Sequence, residues 1–201
     1  MKKIKYIILG LSLVFAIQSF GQSYFQATYN MAAPMGDTKD YIDKFSPRGF
    51  GLEAGGWLNN DISLGFNFQW QGFYEAVPEQ TYHFENDNID ADITTKVWKY
   101  SNQYPLMGVA KYYFGTGSDF EPYVGAGIGT IIHNRRTEFG IYAVNEKQWH
   151  FALYPEIGGI YWFNPETGLI MNLKYMWASK SGDLPSQSFL NITFGFIWHS
   201  Y

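Results

Sequence analysis

Residues 61–74, DISLGFNFQWQGFY, constrain the fold more than any other part of the chain. Apolar and polar side chains alternate there without interruption, which is the period of a β-strand with one apolar and one polar face. The apolar positions are Ile62, Leu64, Phe66, Phe68 and Trp70. In a soluble protein the polar face would meet water, whereas in a membrane barrel the apolar face meets lipid and the polar face lines the lumen. The rest of the sequence has to distinguish these two orientations.

Seven further segments alternate in the same way, which predicts eight strands with no helix between them. The predicted strands are residues 23–32, 48–58, 61–74, 104–114, 120–133, 148–163, 169–177 and 190–198. Long polar connections at 34–47, 75–103, 134–147 and 180–187 alternate with tight turns. Outer-membrane barrels sort their connections in this way, with short periplasmic turns and long extracellular loops. We therefore predict an all-β fold, an eight-stranded antiparallel up-and-down transmembrane β-barrel with both termini in the periplasm.

The longest connection, residues 75–103, is rich in acids and amides and is predicted to be irregular. It is long for a connection without a function. Thr94, Thr95, Val97 and Trp98 have strand preference, so an alternative is that it extends the barrel as a hairpin above the membrane.

The composition favours a membrane location. Aromatic residues make up 20% of the chain and charged residues only 16%, below the roughly 25% of an ordinary globular domain. A surface that meets water needs more charge than this. The absence of cysteine excludes a disulfide scaffold and a lipoprotein anchor.

The first 21 residues have the pattern of a cleaved signal peptide. Lys2, Lys3 and Lys5 precede an apolar run from Ile7 to Ile17, and small residues stand before the expected cut at Gln22. The mature barrel domain is then 22–201, and no apolar segment within it is long enough for a membrane-spanning helix. Cleavage changes the formal charge from −4 to −7, because it removes three lysines and no acid. Such an acidic chain is not expected to bind nucleic acid.

The alternation also predicts which side chains fill the lumen. Two acids and two bases lie at a similar level, namely Glu53, Lys111, Glu156 and Lys174. An eight-stranded barrel is only wide enough for side chains, and buried charges need partners. We therefore predict that the four form a network that plugs the lumen; alternatively, some of them meet trapped water or the register slips by one residue. Further polar lumen residues are Asn67, Gln69, Asn172, Asn191 and Thr193.

Tryptophans lie near both ends of the predicted strands, as the two interfacial girdles of a membrane barrel require. The predicted periplasmic girdle is Trp57, Trp162 and Trp198, and the predicted outer girdle is Trp70, Trp149 and Trp177.

The chain resembles the small outer-membrane β-barrels of Bacteroidetes-type envelopes, which are related in architecture to the OmpA, OmpX and OmpW barrels. The resemblance rests on the leader, the eight strands, MAAPMGDTKDYIDKFSPRGFGL at 31–52 and EPYVGAG at 121–127. It implies outer-membrane lipid and the barrel-assembly machinery as partners. The last strand resembles the assembly signal of the family, with Gly195, Trp198 and the terminal Tyr201, although His199 and Ser200 depart from its usual ending.

No catalytic, metal or cofactor site is predicted. His199 and Ser200 are adjacent on a strand and therefore point to opposite faces, so they cannot act as a base and nucleophile pair. His133 and His150 are expected to pair near the outer mouth, but two histidines are too few for structural zinc. The prediction is a non-enzymatic barrel that supports the envelope or joins a larger outer-membrane complex. The alternatives are a narrow, porin-like channel for small solutes and, less favoured, a lipid-acting enzyme.

Overall fold

The computed structural model describes residues 22–86, 89–115, 117–140 and 142–200, with the side chains of 82–93 left out. The predicted signal peptide, 1–21, and the terminal Tyr201 lie outside the described residues. The elements follow one another along the chain as β1 (Ser23–Met35), α1 (Gly36–Tyr41), β2 (Gly49–Trp57), β3 (Ile62–Asn86), β4 (Ile89–Tyr113), β5 (Phe120–Phe139), β6 (Tyr142–Asn164), β7 (Thr167–Ala178) and β8 (Gln187–Ser200). No helix of the described residues is long and apolar enough to cross a membrane.

The eight strands form one closed antiparallel barrel in chain order, which confirms the predicted fold class. Each strand pairs with its neighbours in sequence, and β1 closes the ring against β8 from Ser23↔Ser200 to Met35↔Ser188. The Asn59 side chain accepts hydrogen bonds from the N–H groups of Asp61 and Ile62, at 2.9 and 2.8 Å, and so stabilises the first tight turn. The tight turns lie together at one end of the barrel, here called the short-turn end; the opposite end is the hairpin end.

The alternation of side chains separates an apolar exterior from a filled interior. In the part of the barrel that all eight strands share, even positions of β1, β6 and β7, and odd positions of the other strands, face the interior and are mostly buried. Large apolar side chains are exposed around the outside, among them Phe25, Phe66, Ile128, Phe151, Ile157 and Phe194. An exposed apolar band of this kind is the lipid-facing surface of a transmembrane barrel.

The long connections are more ordered than the sequence predicted. Residues 75–103 are not irregular, because β3 and β4 continue pairing as far as Asn86↔Ile89, as in the alternative of an extended hairpin. The predicted loop 134–147 is likewise a strand extension, paired as far as Phe139↔Tyr142. The extensions of β3–β6, residues 73–86, 89–101, 134–139 and 142–150, rise above the rest of the barrel and are called the raised wall.

The expectation of no helix was wrong at one place. Gly36–Tyr41 forms the six-residue helix α1, within the segment that was predicted to be a polar loop. Gly36 initiates the turn with φ +49°, and Asp37 lies in the first turn, where its charge is favourable. A helix this short is stabilised by its contacts with the barrel mouth rather than by intrinsic propensity.

Candidate functional site: the filled lumen

The four predicted lumen charges meet inside the barrel. Lys111 Nζ contacts Glu53 Oε1 and lies 3.7 Å from Glu156 Oε1, and Lys174 Nζ lies 3.5 Å from Glu156 Oε2. The side chains of the four residues, which together are called the ion network, are almost completely buried. Two acids and two bases give the ion network no net charge, which limits the cost of burying them.

Polar and aromatic neighbours surround the ion network. Tyr24 donates its hydroxyl to Glu53 Oε1 at 2.9 Å, and Asn67 donates its amide to Glu53 Oε2 at 3.0 Å. Lys111 Nζ lies 5.2 Å from the ring centre of Tyr123, and Lys174 Nζ lies 5.3 Å from that of Tyr154. These contacts are within the range of cation–π attraction, so the lysines are held by rings as well as by carboxylates.

Two apolar layers enclose the ion network. The layer toward the short-turn end, the lower apolar layer, contains Tyr24, Tyr113, Tyr123, Ile160, Ile170 and Ile197. The layer toward the hairpin end, the upper apolar layer, contains Ala32, Ile42, Phe73, Met107, Val109, Ile131, Ala152, Tyr154, Met176, Ala178 and Phe189. The interior is therefore a packed core with a charged centre.

The helix α1 and the residue after it cover the mouth at the hairpin end. Ile42 is fully buried in the upper apolar layer. Thr38 donates to Gln187 Oε1 at 3.1 Å, which ties α1 to the start of β8. The Arg135 guanidinium carbon lies 3.6 Å from the ring centre of Tyr41, and Lys99 Nζ donates to the Tyr41 carbonyl oxygen at 3.0 Å. Gly36–Ile42 thus acts as a lid over the mouth.

Sequence reasoning missed this lid, because the segment carries no direct signal for it. Tyr41 and Ile42 are two apolar residues within a polar segment, and such an isolated pair is the only hint that a loop folds back onto a core.

The predicted polar lumen residues Asn67, Gln69, Asn172, Asn191 and Thr193 are all buried inside the barrel. Asn172 donates to the Tyr123 hydroxyl at 3.0 Å. Several other polar atoms on β1, β3 and β8 are buried without a hydrogen-bond partner among the described residues, including Gln69 Nε2, both amide atoms of Asn191 and Thr193 Oγ1. Buried polar groups of this kind are usually satisfied by internal water.

Four of the six predicted girdle tryptophans lie on the outer face. Trp149 and Trp198 are strongly exposed there, and Trp70 and Trp177 are partly exposed. Trp198 stacks on the neighbouring outward ring of Phe25, with ring centres 6.0 Å apart.

The girdle assignment was wrong for Trp57 and Trp162. Both pack inside the barrel mouth against the lower apolar layer, with Trp57 only 4.4 Å from Tyr113 between ring centres. The reason is the strand period: Trp57 follows Glu53 by four residues and Trp162 follows Glu156 by six, so each tryptophan shares the inward face of its glutamate. Strict use of the alternation would have identified this.

Other residues singled out from the sequence have structural contacts. Gly195 faces inward where β8 lies very close to the backbone of its paired strand β1, and Tyr201 lies outside the described residues.

The rings of His133 and His150 are 5.6 Å apart near the hairpin end. His133 Nε2 lies 2.8 Å from Ser101 Oγ, and His150 Nδ1 lies 2.7 Å from the Ser179 carbonyl oxygen. In the described part of the chain, no group of three His, Cys, Asp or Glu could hold a metal ion.

No protein-family model and no curated protein matches the chain. Among solved structures, Neisserial surface protein A (NspA) is similar over 89% of this chain and 98% of its own, with 20% identity and a TM-score of 0.57. The fold is that of a small outer-membrane β-barrel. The outer-membrane barrel Ail of Yersinia pestis, in complex with the heparin analogue sucrose octasulfate, has a TM-score of 0.53 at 16% identity, covering 90% of this chain and 99% of its own.

A third outer-membrane barrel, the N-terminal domain of OprF from Pseudomonas aeruginosa, has a TM-score of 0.52 at 14% identity and covers 90% of this chain and 98% of its own. The TM-scores show a common fold, and at such low sequence identity they show the fold alone. Function has to be argued from the residues of this barrel.

Proposed function

We propose that the chain is a closed, non-enzymatic outer-membrane barrel with a structural or interaction role. The observation that carries this proposal is the ion network, which is neutral, buried and enclosed by apolar layers on both sides. A lumen filled in this way leaves the barrel wall, the lid and the raised wall as the parts that meet other molecules. Both lumen carboxylates, Glu53 and Glu156, are held by lysines, which argues against their use in catalysis.

We propose that the short-turn end faces the periplasm, with both termini there, and that the hairpin end faces outward. The sorting of turns and hairpins by length supports this orientation.

An interaction role is supported by the raised wall. The raised wall has two outer edges, one on β3 and one on β6. Among the described residues, β3 has no neighbouring strand on its outer side after Gly72, and β6 has none on its outer side before Phe151. Unpaired strand edges are templates for pairing with another chain. Tyr142 and Val144 add exposed apolar surface at the β6 edge. Ail with its bound sulfated ligand illustrates that the fold is compatible with a binding role. A larger outer-membrane complex is the partner that we propose, and the assembly machinery is a transient one.

Single-channel recording in planar lipid bilayers tests the closed lumen. The wild-type barrel is expected to give no steady conductance above that of the lipid. Glu53→Gln and Lys111→Met remove charges from the ion network, and Lys180→Met removes an exposed loop charge as a matched control. Steady wild-type conductance that changes in the two network variants, and not in the control, would contradict a closed lumen.

A narrow channel is the second candidate, because unpartnered polar atoms follow the β8, β1 and β3 side of the lumen in the described part of the chain. Water that satisfies these atoms would mark a path beside the ion network. Osmotic swelling of proteoliposomes distinguishes the two proposals: swelling in small solutes such as glycerol supports a channel, whereas swelling equal to that of protein-free liposomes supports the closed barrel. The third alternative, a lipid-acting enzyme, predicts product from radiolabelled phospholipid incubated with the reconstituted barrel.

A further inference from the structure

A cup of about 700 Å³ opens at the short-turn end, on the far side of the lower apolar layer from the ion network. Its lining includes Trp57, Asp119, Glu121, Trp162 and His199, and the cavity that these residues define is called the acidic cup. Four of these residues come from separate strands, β2, β5, β6 and β8, so the barrel wall fixes their relative positions. Nothing in the proposed structural role requires such a cavity.

The side chains of the tight turns give the acidic cup a one-sided charge; Gln22, the amino terminus after the predicted cleavage, also lies in its lining. Segments 58–62, 114–121 and 163–168, which form the short-turn end, contain Asp61, Asp119, Glu121 and Glu166 but no Lys or Arg. Glu121 is only 8% exposed, and its Oε1 accepts a hydrogen bond from the Gly117 N–H at 2.9 Å. Among the described residues it makes no ion pair with Lys or Arg. The titratable side chain that interacts electrostatically with Glu121 is His199, which lines the same cup. A bound cation would add to the compensation of this largely buried carboxylate.

Aromatic rings form the other part of the acidic cup. The His199 ring centre lies 5.9 Å from that of Trp57 and 6.1 Å from that of Trp162, so the three rings are contiguous. Tryptophan offers the strongest cation–π surface of any side chain, and it also contacts alkyl groups. Rings beside carboxylates match an organic cation better than a bare metal ion, which would prefer a complete shell of oxygen ligands.

We propose that the acidic cup binds an alkylammonium group. The Glu121 carboxylate accepts hydrogen bonds from the ammonium, Asp119 adds negative potential, and Trp57 and Trp162 contact the alkyl chain and the charge. The group can be carried by a free small amine or by a lysine side chain of a peptide, because both present the same chemistry to the cup.

Binding is tested with wild-type barrel in maltoside micelles, which contain no choline headgroup. The probes are butylammonium, Nα-acetyl-lysine amide, and Nα-acetyl-norleucine amide as the matched neutral analogue. Tryptophan fluorescence and the indole N–H resonances of Trp57 and Trp162 report occupancy. Saturable binding of the lysine amide, with norleucine amide at least about tenfold weaker, is the expected result. Tighter binding of butylammonium than of the lysine amide assigns the site to small amines, and the reverse assigns it to peptides.

Matched variants identify the residues responsible. Glu121→Gln and Asp119→Asn each remove one charge from the acidic cup, and Glu166→Gln removes one charge from the same end outside the cup lining. Glu121→Gln is expected to weaken binding of the lysine amide about tenfold, and Glu166→Gln less than about twofold. Equal effects of these two variants, equal binding of the neutral analogue, or no saturation would overturn the proposal. The selectivity of the wild-type barrel remains decisive if a variant fails to fold.

Discussion

Lys174 Nζ lies 3.5 Å from Glu156 Oε2 inside the barrel, and both side chains are removed from solvent. Lys174→Met would leave the ion network with one uncompensated negative charge. Breaking a buried pair in this way costs about 3–5 kcal/mol, so the free energy of unfolding should fall by about that amount. Urea titration of the reconstituted barrel, followed by tryptophan fluorescence, measures the change.

Two further variants separate charge imbalance from lost packing. The double variant Lys174→Met with Glu156→Gln restores neutrality to the remaining Glu53–Lys111 pair and should recover at least half of the lost stability. Lys180→Met, in an exposed loop, should change stability by less than about 0.5 kcal/mol. A double variant that is less stable than Lys174→Met alone would contradict this explanation.

The orientation of the tryptophans predicts which of them a lipid-bound spin label can reach. Trp149 and Trp198 face lipid, whereas Trp57 and Trp162 lie inside the mouth. In a barrel labelled with 5-fluorotryptophan, a spin label on the lipid tails should broaden the ¹⁹F resonances of the first two and leave those of the second two sharp. Individual Trp→Phe variants assign the resonances. If the Trp57 resonance broadens as much as that of Trp198, Trp57 faces lipid and belongs to the periplasmic girdle.

The lid predicts a change in protease sensitivity. Tyr41→Ala removes the ring that lies 3.6 Å from the Arg135 guanidinium carbon. A cation–π contact of this kind contributes roughly 0.5–2 kcal/mol, so trypsin should cleave after Lys39 and Lys44 about two- to thirtyfold faster. Phe45→Ala serves as a control, because Phe45 is 52% exposed beside the lid. Equal cleavage rates in the two variants would show that Tyr41 does not hold the lid.

The seam between β1 and β8 predicts the effect of a single methyl group. A Cβ added to Gly195 would lie only 2.7 Å from the Cα atom of Thr28, so Gly195→Ala has to push the two strands apart. Refolding from urea into micelles should yield a barrel roughly 1–3 kcal/mol less stable, as is usual for overpacking. In Gly108→Ala the nearest atom is 3.7 Å away, and no comparable loss is expected. If Gly195→Ala refolds normally but fails to assemble in cells, Gly195 instead serves recognition by the barrel-assembly machinery.

The strand segments could be predicted because a barrel wall has lipid on one side and a core on the other. That contrast produces a two-residue period in stretches such as Ile62–Trp70. The raised wall lacks the contrast, since water or polar groups meet much of both faces, and its extensions therefore resembled loops. The helix α1 is too short for its own period to be visible in the sequence, and its place depends on contacts of Tyr41 with β4 and β5.

The lumen charges could be predicted in the same way, because few charged residues occur on these regular strands. They are Glu53, Lys111, Glu156 and Lys174. The distances between these four side chains could not be predicted from the sequence, because they depend on the stagger of β2 against β4 and of β6 against β7. The acidic cup was missed because Trp57 and Trp162 were assigned by height along the strand rather than by face.

The ion network also has a consequence for how the protein reaches its final state. Strands β1–β4 contribute the contacting pair Glu53 and Lys111, and strands β5–β8 contribute the contacting pair Glu156 and Lys174. Each half of the chain therefore carries its own neutral pair, and the contact between Lys111 and Glu156 joins the two. A half-formed sheet can enter the bilayer without bringing a net lumen charge into contact with hydrocarbon. Charge balance is thus a property of each half of the barrel as well as of the finished barrel.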